Sequence, residues 1–275
     1  MNFLILGDGA EELAWARALA DHPEHRLTAA CPGFKAFPDL PGGPDLDAAL
    51  AAPDVNAAII GGPPDLRAEG LRRAAGAGLP ILCLHPPGEN ADPYYQVALS
   101  RQETGAVVVP DLPLRLHPGV VVLEKALREG PPEAAAARSL RLELPVGPGG
   151  EDLLGQVFPQ VVDVIRALVG EIEAVTATGD PPGPRPTTSL IVQMRGPGGR
   201  RAEVRLTAGP PEPARLVVVG PEGSTTLEFD PALLGPSRLI QRTLRDETVT
   251  DLDPWDPKSA LLRTLEATVA GQPAH

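Results

Sequence analysis

Through residue 109 the apolar positions fall in short unbroken runs. Asn2–Leu6, Arg26–Cys31, Asn56–Ile60, Pro80–Leu84 and Ala106–Val109 each read as a strand. The segments between them, Glu11–Asp21, Leu46–Ala52, Asp65–Ala77 and Pro93–Thr104, have helical spacing. Strands alternating with helices predict a parallel sheet with helices on both faces. Strands buried on two sides need no polar alternation, and these have none. A helix from Pro118 to about Glu129 follows, and then the pattern changes. Ser139–Val146, Ile172–Thr178, Ser189–Arg195, Ala202–Thr207, Arg215–Val219 and Ser224–Phe229 mostly alternate apolar with polar residues, as half-exposed antiparallel strands do. Gly196–Gly199 and Gly220–Gly223 read as the turns joining consecutive strands. Two more helices are predicted, at Asp152–Val169 and Ala260–Ala270. The expected division is an α/β domain over 1–117 and an α+β domain over 118–275, the second built on an open, mostly antiparallel sheet.

Composition narrows the function classes. With 43% hydrophobic and 22% charged residues the chain is globular in character. Its formal charge of −12 and lack of a basic run do not point to nucleic acid. No apolar stretch reaches the roughly 18 residues of a membrane span. The start of the chain runs straight into a strand without a basic segment, so a secretory signal is not expected. Two cysteines, Cys31 and Cys83, are too few for a disulfide framework or an all-cysteine zinc site. A cytoplasmic, reducing location is expected, with no metal site. The alanine-, proline- and arginine-rich usage suggests a bacterial source.

In a doubly wound sheet, ligands gather beyond the carboxyl ends of the strands. Three loops there are informative: Gly7–Glu12, Gly61–Pro64 and His85–Gly88. The first resembles the dinucleotide-binding fingerprint G-x-G-x-x-G. Gly7 permits the tight turn and Gly9 lets backbone approach a pyrophosphate at a helix N-terminus. Gly7, Gly9, Ala10, Gly61, Pro63 and His85 are therefore the candidates for holding a dinucleotide, NAD or NADP. Two departures stand beside them. The third glycine is Glu12, whose carboxylate would sit near a phosphate. The ribose-binding acid after the second strand is replaced by Ala30-Cys31-Pro32-Gly33. Lys35 could instead meet a 2′-phosphate. The alternative is a glycine turn kept for packing alone.

Asp54–Arg67, Ala74–Pro86 and Arg115–Pro118 together resemble the glucose–fructose oxidoreductase, inositol dehydrogenase and rhizopine-catabolism (Gfo/Idh/MocA) family. The resemblance covers residues 1–129 and, more loosely, the order of elements to residue 271. It implies an NAD(P)-dependent oxidoreductase acting on a sugar or polyol, with a Rossmann domain followed by an open-sheet domain. Where that family carries Glu-Lys-Pro, this chain has Leu84-His85-Pro86. The family's helix aspartate and histidine, four residues apart, fall on Gln156 and Gln160, with Asp163 matching a later aspartate. No histidine lies between His117 and His275, so the family's catalytic histidine is absent in any register. The family usually continues past this point with a further helix.

Three readings follow. An enzyme with rearranged groups would use His85 as acid–base, with Asp152 or Asp163 orienting it or the substrate. Arg115, His117, Gln156 and Gln160 would then bind substrate. A catalytically inactive relative would bind a nucleotide or sugar as a sensor or partner subunit. A purely structural protein would use neither site. His117 could simply cap the helix after it, and Arg115 pair with a carboxylate. Tyr94 and Tyr95 read as cover for the sheet edge, and Trp15, Cys31 and Cys83 as core. The open sheet leads us to expect a homo-oligomer.

Overall fold

A computed structural model describes residues 1–43, 45–90, 92–129, 139–146, 153–179, 188–210, 212–231 and 233–271. The chain forms two compact units, Met1–Asp111 with Lys258–His275, and Leu112–Pro257. The division thus comes six residues before the expected break after His117, and the last helix counts with the first unit.

The first unit holds β1 (Asn2–Leu6), α1 (Ala10–Ala20), β2 (Arg26–Cys31), α2 (Leu46–Leu50), β3 (Ala57–Ile60), α3 (Pro64–Gly76), β4 (Ile81–Cys83), α4 (Asp92–Thr104) and β5 (Val108–Pro110). The five strands pair in parallel, in the order β2-β1-β3-β4-β5. Phe3 to Leu6 and Ala57 to Ile60 are fully buried, which is what continuous apolar strands between two helical layers require. Helix α3 lays Gly70, Leu71, Ala74 and Ala75 against the sheet. Its small residues let it approach closely: a side chain on Gly70 would overlap the buried Leu6. Helix α1 buries Glu12, Trp15, Ala16 and Leu19. That is one stripe at i, i+3, i+4 and i+7, and its first member is a carboxylate. The last helix, α7 (Pro257–Val269), buries Ala260, Leu261, Leu262 and Leu265. Two contacts show why it joins this unit. Glu266 lies 3.3 Å from His25, and the Lys258 ammonium sits 4.6 Å from the centroid of the Trp15 ring.

The second unit is an eight-stranded sheet with α5 (Pro118–Glu129) and α6 (Phe158–Val169) on one face. Its strands are β6 (Ser139–Val146), β7 (Ala174–Gly179), β8 (Ser189–Arg195), β9 (Arg201–Ala208), β10 (Arg215–Gly220), β11 (Gly223–Glu228), β12 (Ser237–Thr243) and β13 (Glu247–Leu252). They lie in the order β13-β12-β11-β10-β6-β9-β8-β7, antiparallel except for the β6–β9 pair. Leu140, Leu142, Val204, Leu206 and Leu216 meet Val161, Val164, Ile165 and Leu168 of α6 in one core. The opposite face carries cross-strand ion pairs, among them Arg215–Glu228 at 3.2 Å and Arg141–Glu203 at 3.7 Å.

Two features differ from the sequence expectation. Strands β12 and β13 were not expected. In them Leu239 and Ser237 are buried while the β13 side chains are mostly exposed, so apolar alternation is faint. The helix expected over 152–169 begins as a π-helical turn at Leu153–Val157 and becomes α-helical from Phe158. Asp152, the Gly147–Gly150 loop, most of the proline-rich 179–186 segment and His275 lie outside the described residues. Among the described residues no helix is long and apolar enough to cross a membrane.

Candidate functional site

The turns after β1 and β3 form a glycine cradle at the carboxyl edge of the first sheet. Gly7 has φ +104° and Gly62 φ +84°, left-handed conformations that glycine adopts without a Cβ penalty. Gly7 N–H donates to the Cys31 carbonyl at 2.8 Å, and Gly61 N–H to the Leu6 carbonyl at 2.9 Å. These bonds fix both turns to the strand ends. Gly9 begins α1, and no side chain caps the helix there.

The cradle has a side chain in it. Glu12 is only 4% exposed, and its Oε1 accepts the Gly62 N–H at 2.6 Å. A Cβ on Gly9 would stand 2.5 Å from Oε2 and one on Gly7 3.0 Å from Oε1, while one on Gly61 would overlap the carboxylate outright. Of the residues expected to hold a dinucleotide, Gly7, Gly9 and Gly61 thus surround the Glu12 carboxylate. Ala10 and Pro63 lie exposed at the rim.

A second polar cluster sits at the ends of β4 and β5. Arg67, from α3, donates through Nη2 to the Gly62 carbonyl at 2.8 Å and through Nη1 to the Pro86 carbonyl. It therefore ties the loop after β3 to the loop carrying His85. The His85 ring stacks on Tyr94 at 6.2 Å, and its buried Nδ1 has no hydrogen-bond partner among the described residues. Burial, helped by the Arg67 charge, lowers the His85 pKa and favours the neutral ring. Tyr94 is half-buried and packs against the core that includes Ile81, Cys83 and Val97, while Tyr95 is 66% exposed. Burial pushes the Tyr94 phenol well above its ordinary value and the Cys83 thiol up to about 12, so this thiol stays protonated and unreactive. Nearby, Trp15 Nε1 donates to Asp111 at 3.3 Å, and burial raises the Asp111 pKa.

The second unit gathers other candidates around the start of α5. Arg115 follows β5 in a 3₁₀ turn, Pro113–Leu116. Its Nη2 lies 3.4 Å from the buried Glu124 and its Nη1 3.8 Å from Asp163. Burial raises the Asp163 pKa, against the pull of Arg115. Gln160 stands three residues before Asp163 on α6, one turn away on the same face, and is half-buried. Gln156 lies in the π-helical turn and is more exposed. His117 stands apart from this group. It is 1% exposed, its Nδ1 accepts the Gly119 N–H at 3.1 Å, and its Nε2 is 3.1 Å from Ser237 Oγ. Phe229 and Trp255 pack edge-on against it. It caps α5 from within the core and leaves no ring nitrogen for a ligand.

Sequence reading passed over Arg67 and Glu124, which organise these two clusters. It noted Glu12 only as a neighbour of a phosphate. The signal for its burial was available: Glu12 precedes Trp15, Ala16 and Leu19 at the spacing of α1's buried stripe. A shallow groove of about 450 Å³ lies on the large sheet, lined in part by Arg141, Gln193, Arg195 and Glu203, and holds none of these candidates. Among the described residues no group of histidine, cysteine, aspartate and glutamate could hold a metal ion.

No family model matches the chain, and no curated protein matches it. Solved structures do. A UDP-N-acetylglucosamine 3-dehydrogenase from Acidithiobacillus ferrooxidans superimposes with a TM-score of 0.82 at 18% identity, covering 100% of this chain and 90% of its own. An oxidoreductase from Agrobacterium radiobacter, in complex with NAD⁺, L-tartaric acid and magnesium, gives 0.79 at 13%, covering 100% and 90%. A 3-ketoreductase from Actinomadura kijaniata, in complex with NADP, gives 0.77 at 19%, covering 99% and 91%. These neighbours are oxidoreductases of the Gfo/Idh/MocA kind. At such identities the likeness shows the fold, the two-part architecture that the resemblance implied.

Proposed function

We propose that this chain is a catalytically silent relative of the dinucleotide-dependent sugar oxidoreductases, one that binds a sugar- or polyol-like ligand without transferring hydride. The carrying observation is the state of His117. It is the one histidine in the 112–257 unit, and the core uses its whole ring. Oxidising an alcohol needs a group that takes the hydroxyl proton near the working pH. Gln160, at the position the family gives to histidine, does not titrate. Binding hydroxyls needs only donors and acceptors, and Gln160, Asp163 and Arg115 supply both. Neighbours whose names specify a sugar nucleotide or a tartrate complex support a hydroxyl-rich ligand class. Self-association through the large sheet's exposed face belongs to the same proposal, and so does a cytoplasmic location.

A second reading keeps hydride transfer, with His85 as the acid–base group. Its support is the buried Nδ1, unpartnered among the described residues, beside a loop that Arg67 holds in place. One experiment separates the two. The protein is given NAD⁺ or NADP⁺ with a broad panel of sugars and polyols, and reduced nicotinamide is followed by absorbance. Calorimetry with the same panel reports binding. The silent reading expects no turnover, and binding that Asp163→Ala abolishes. Turnover that disappears in His85→Ala would establish the second reading instead.

A further inference from the structure

The fold's usual occupant of the glycine cradle is a dinucleotide pyrophosphate held at the α1 N-terminus. The residues here do not fit it. We infer that the Glu12 side chain is itself the permanent occupant of the cradle, a tethered anion that bars a dinucleotide from the site.

Three observations carry this. The first is occupancy: the carboxylate lies against Gly9 and Gly61 so closely that a methyl group on either would run into it, and it reaches to 3.0 Å of where a Cβ on Gly7 would stand. A phosphate is larger than a methyl, so it cannot enter while Glu12 is there. The second is retention. Glu12 is 4% exposed, and its Oε1 holds the Gly62 N–H at 2.6 Å. It leaves the cradle only if that donor and the stripe above Trp15 both give way. The third is chemical likeness. Backbone N–H groups and an uncapped helix start are what bind a phosphate oxygen, and a carboxylate oxygen satisfies the same donors. A ligand entering would bring more negative charge to a site that already has its anion. The end of β2, Ala30-Cys31, offers no acid for a ribose hydroxyl to repay the displacement.

The latch also has a structural consequence. Glu12 joins the turn after β1 to the turn after β3, and Arg67 joins the latter to the His85 loop. In this chain an internal chain of polar contacts crosses the edge of the sheet from α1 to the His85 loop. That is the arrangement of a site kept closed without a cofactor.

The test uses the intact chain and Glu12→Gly, which restores the third glycine of the fingerprint. Each is titrated calorimetrically with NAD⁺, NADH, NADP⁺, NADPH and inorganic pyrophosphate, and each is melted with and without them. The wild-type protein should show no binding up to millimolar concentrations and no change in Tm. Glu12→Gly should melt lower, bind at least one of these anions ten-fold or more tighter than wild type, and regain Tm in its presence. Micromolar binding by the wild type would overturn the inference, and so would a folded Glu12→Gly that binds no better than wild type. Should Glu12→Gly not fold, Glu12→Ala replaces it, and the wild-type titration decides without either variant. Failure here is distinct from failure of the proposed function: wild-type binding without turnover overturns the latch and leaves the silent reading standing.

Discussion

Glu12 Oε1 and the Gly62 N–H meet at 2.6 Å, joining helix α1 to the turn after β3 across fifty positions of sequence. The bond explains how a carboxylate can sit in an otherwise apolar helix stripe: its partner is a backbone donor that strand geometry has already aimed. The same bond makes a stability prediction. Glu12→Ala leaves the Gly62 N–H without its acceptor and a hollow beneath Gly9, and should cost about 1–3 kcal/mol. Glu12→Gln keeps an acceptor oxygen at the same reach and should lose less than half of that. Urea unfolding of the three proteins measures it. Equal losses for alanine and glutamine would mean that charge, not the bond to Gly62, holds the side chain in place.

Gly70 sets a second prediction, in which two effects oppose. Alanine in the middle of α3 is favoured over glycine by about 1 kcal/mol of helix propensity. Against this, the new methyl would run into the Leu6 side chain, which is fully buried and packed in β1. Overpacking of a tight core costs about 1–3 kcal/mol. The clash should win, so Gly70→Ala should lower Tm, whereas Gly76→Ala, at the open end of the same helix, should not. A stabilised Gly70→Ala would show that α3 can slide away from the sheet.

The sequence made the first unit legible because both its signals are local. Continuous apolar runs such as Asn56–Ile60 need burial on two sides, and Gly7 and Gly9 mark the turn where such a strand hands over to a helix. Strands β12 and β13 gave no such signal. In β12 only Ser237 and Leu239 are buried, and in β13 every side chain before Leu252 is exposed, so little apolar periodicity remains in Ser237–Thr243 and Glu247–Leu252. The candidate site was half legible. The loops were found, since glycines and prolines advertise themselves. What fills them was not, because the roles of Glu12 and Arg67 depend on partners far along the chain. His117 shows the reverse case: a ligand-like motif, Arg-Leu-His-Pro, whose imidazole the fold spends on Ser237 and Gly119.

The Arg115 group predicts an asymmetry between its members. Arg115 lies between Glu124 and Asp163, and the Glu124 side chain is 9% exposed. Arg115→Met should cost about 1–3 kcal/mol, because it withdraws a charged donor from a buried carboxylate and leaves it, among the described residues, with Arg128. Asp163→Asn should change stability by less than about 1 kcal/mol at neutral pH. Burial raises the Asp163 pKa in the folded protein. A carboxyl raised in this way contributes stability below its unfolded pKa and loses that contribution as pH rises through the folded one. Asp163→Asn should therefore compare more favourably with wild type at pH 7 than at pH 4. Unfolding free energies of both variants at the two pH values check this, and a larger loss for Asp163→Asn at pH 7 than at pH 4 would contradict it.

His117 makes the sharpest pH prediction. Burial pushes its pKa from an ordinary 6.5 down to about 4, so the folded protein holds the ring neutral. The unfolded chain binds a proton near pH 6.5 and the folded one only near pH 4. Between those values the unfolded state carries more protons, and stability falls as pH falls. The whole contribution is present above pH 6.5 and is lost by pH 4, a span worth up to about 3 kcal/mol at 1.36 kcal/mol per pH unit. Burial lowers the pKa of His25 and His85 too, so wild type alone does not isolate the effect. His117→Gln does. It loses the ring contacts with Phe229 and Trp255 and should be less stable at every pH, by about 1–3 kcal/mol at neutrality. The difference between it and wild type should shrink steadily from pH 6.5 to pH 4.5, because only wild type has a buried imidazole to protonate. Parallel curves for the two proteins over that range would mean that His117 accepts its proton without leaving the core.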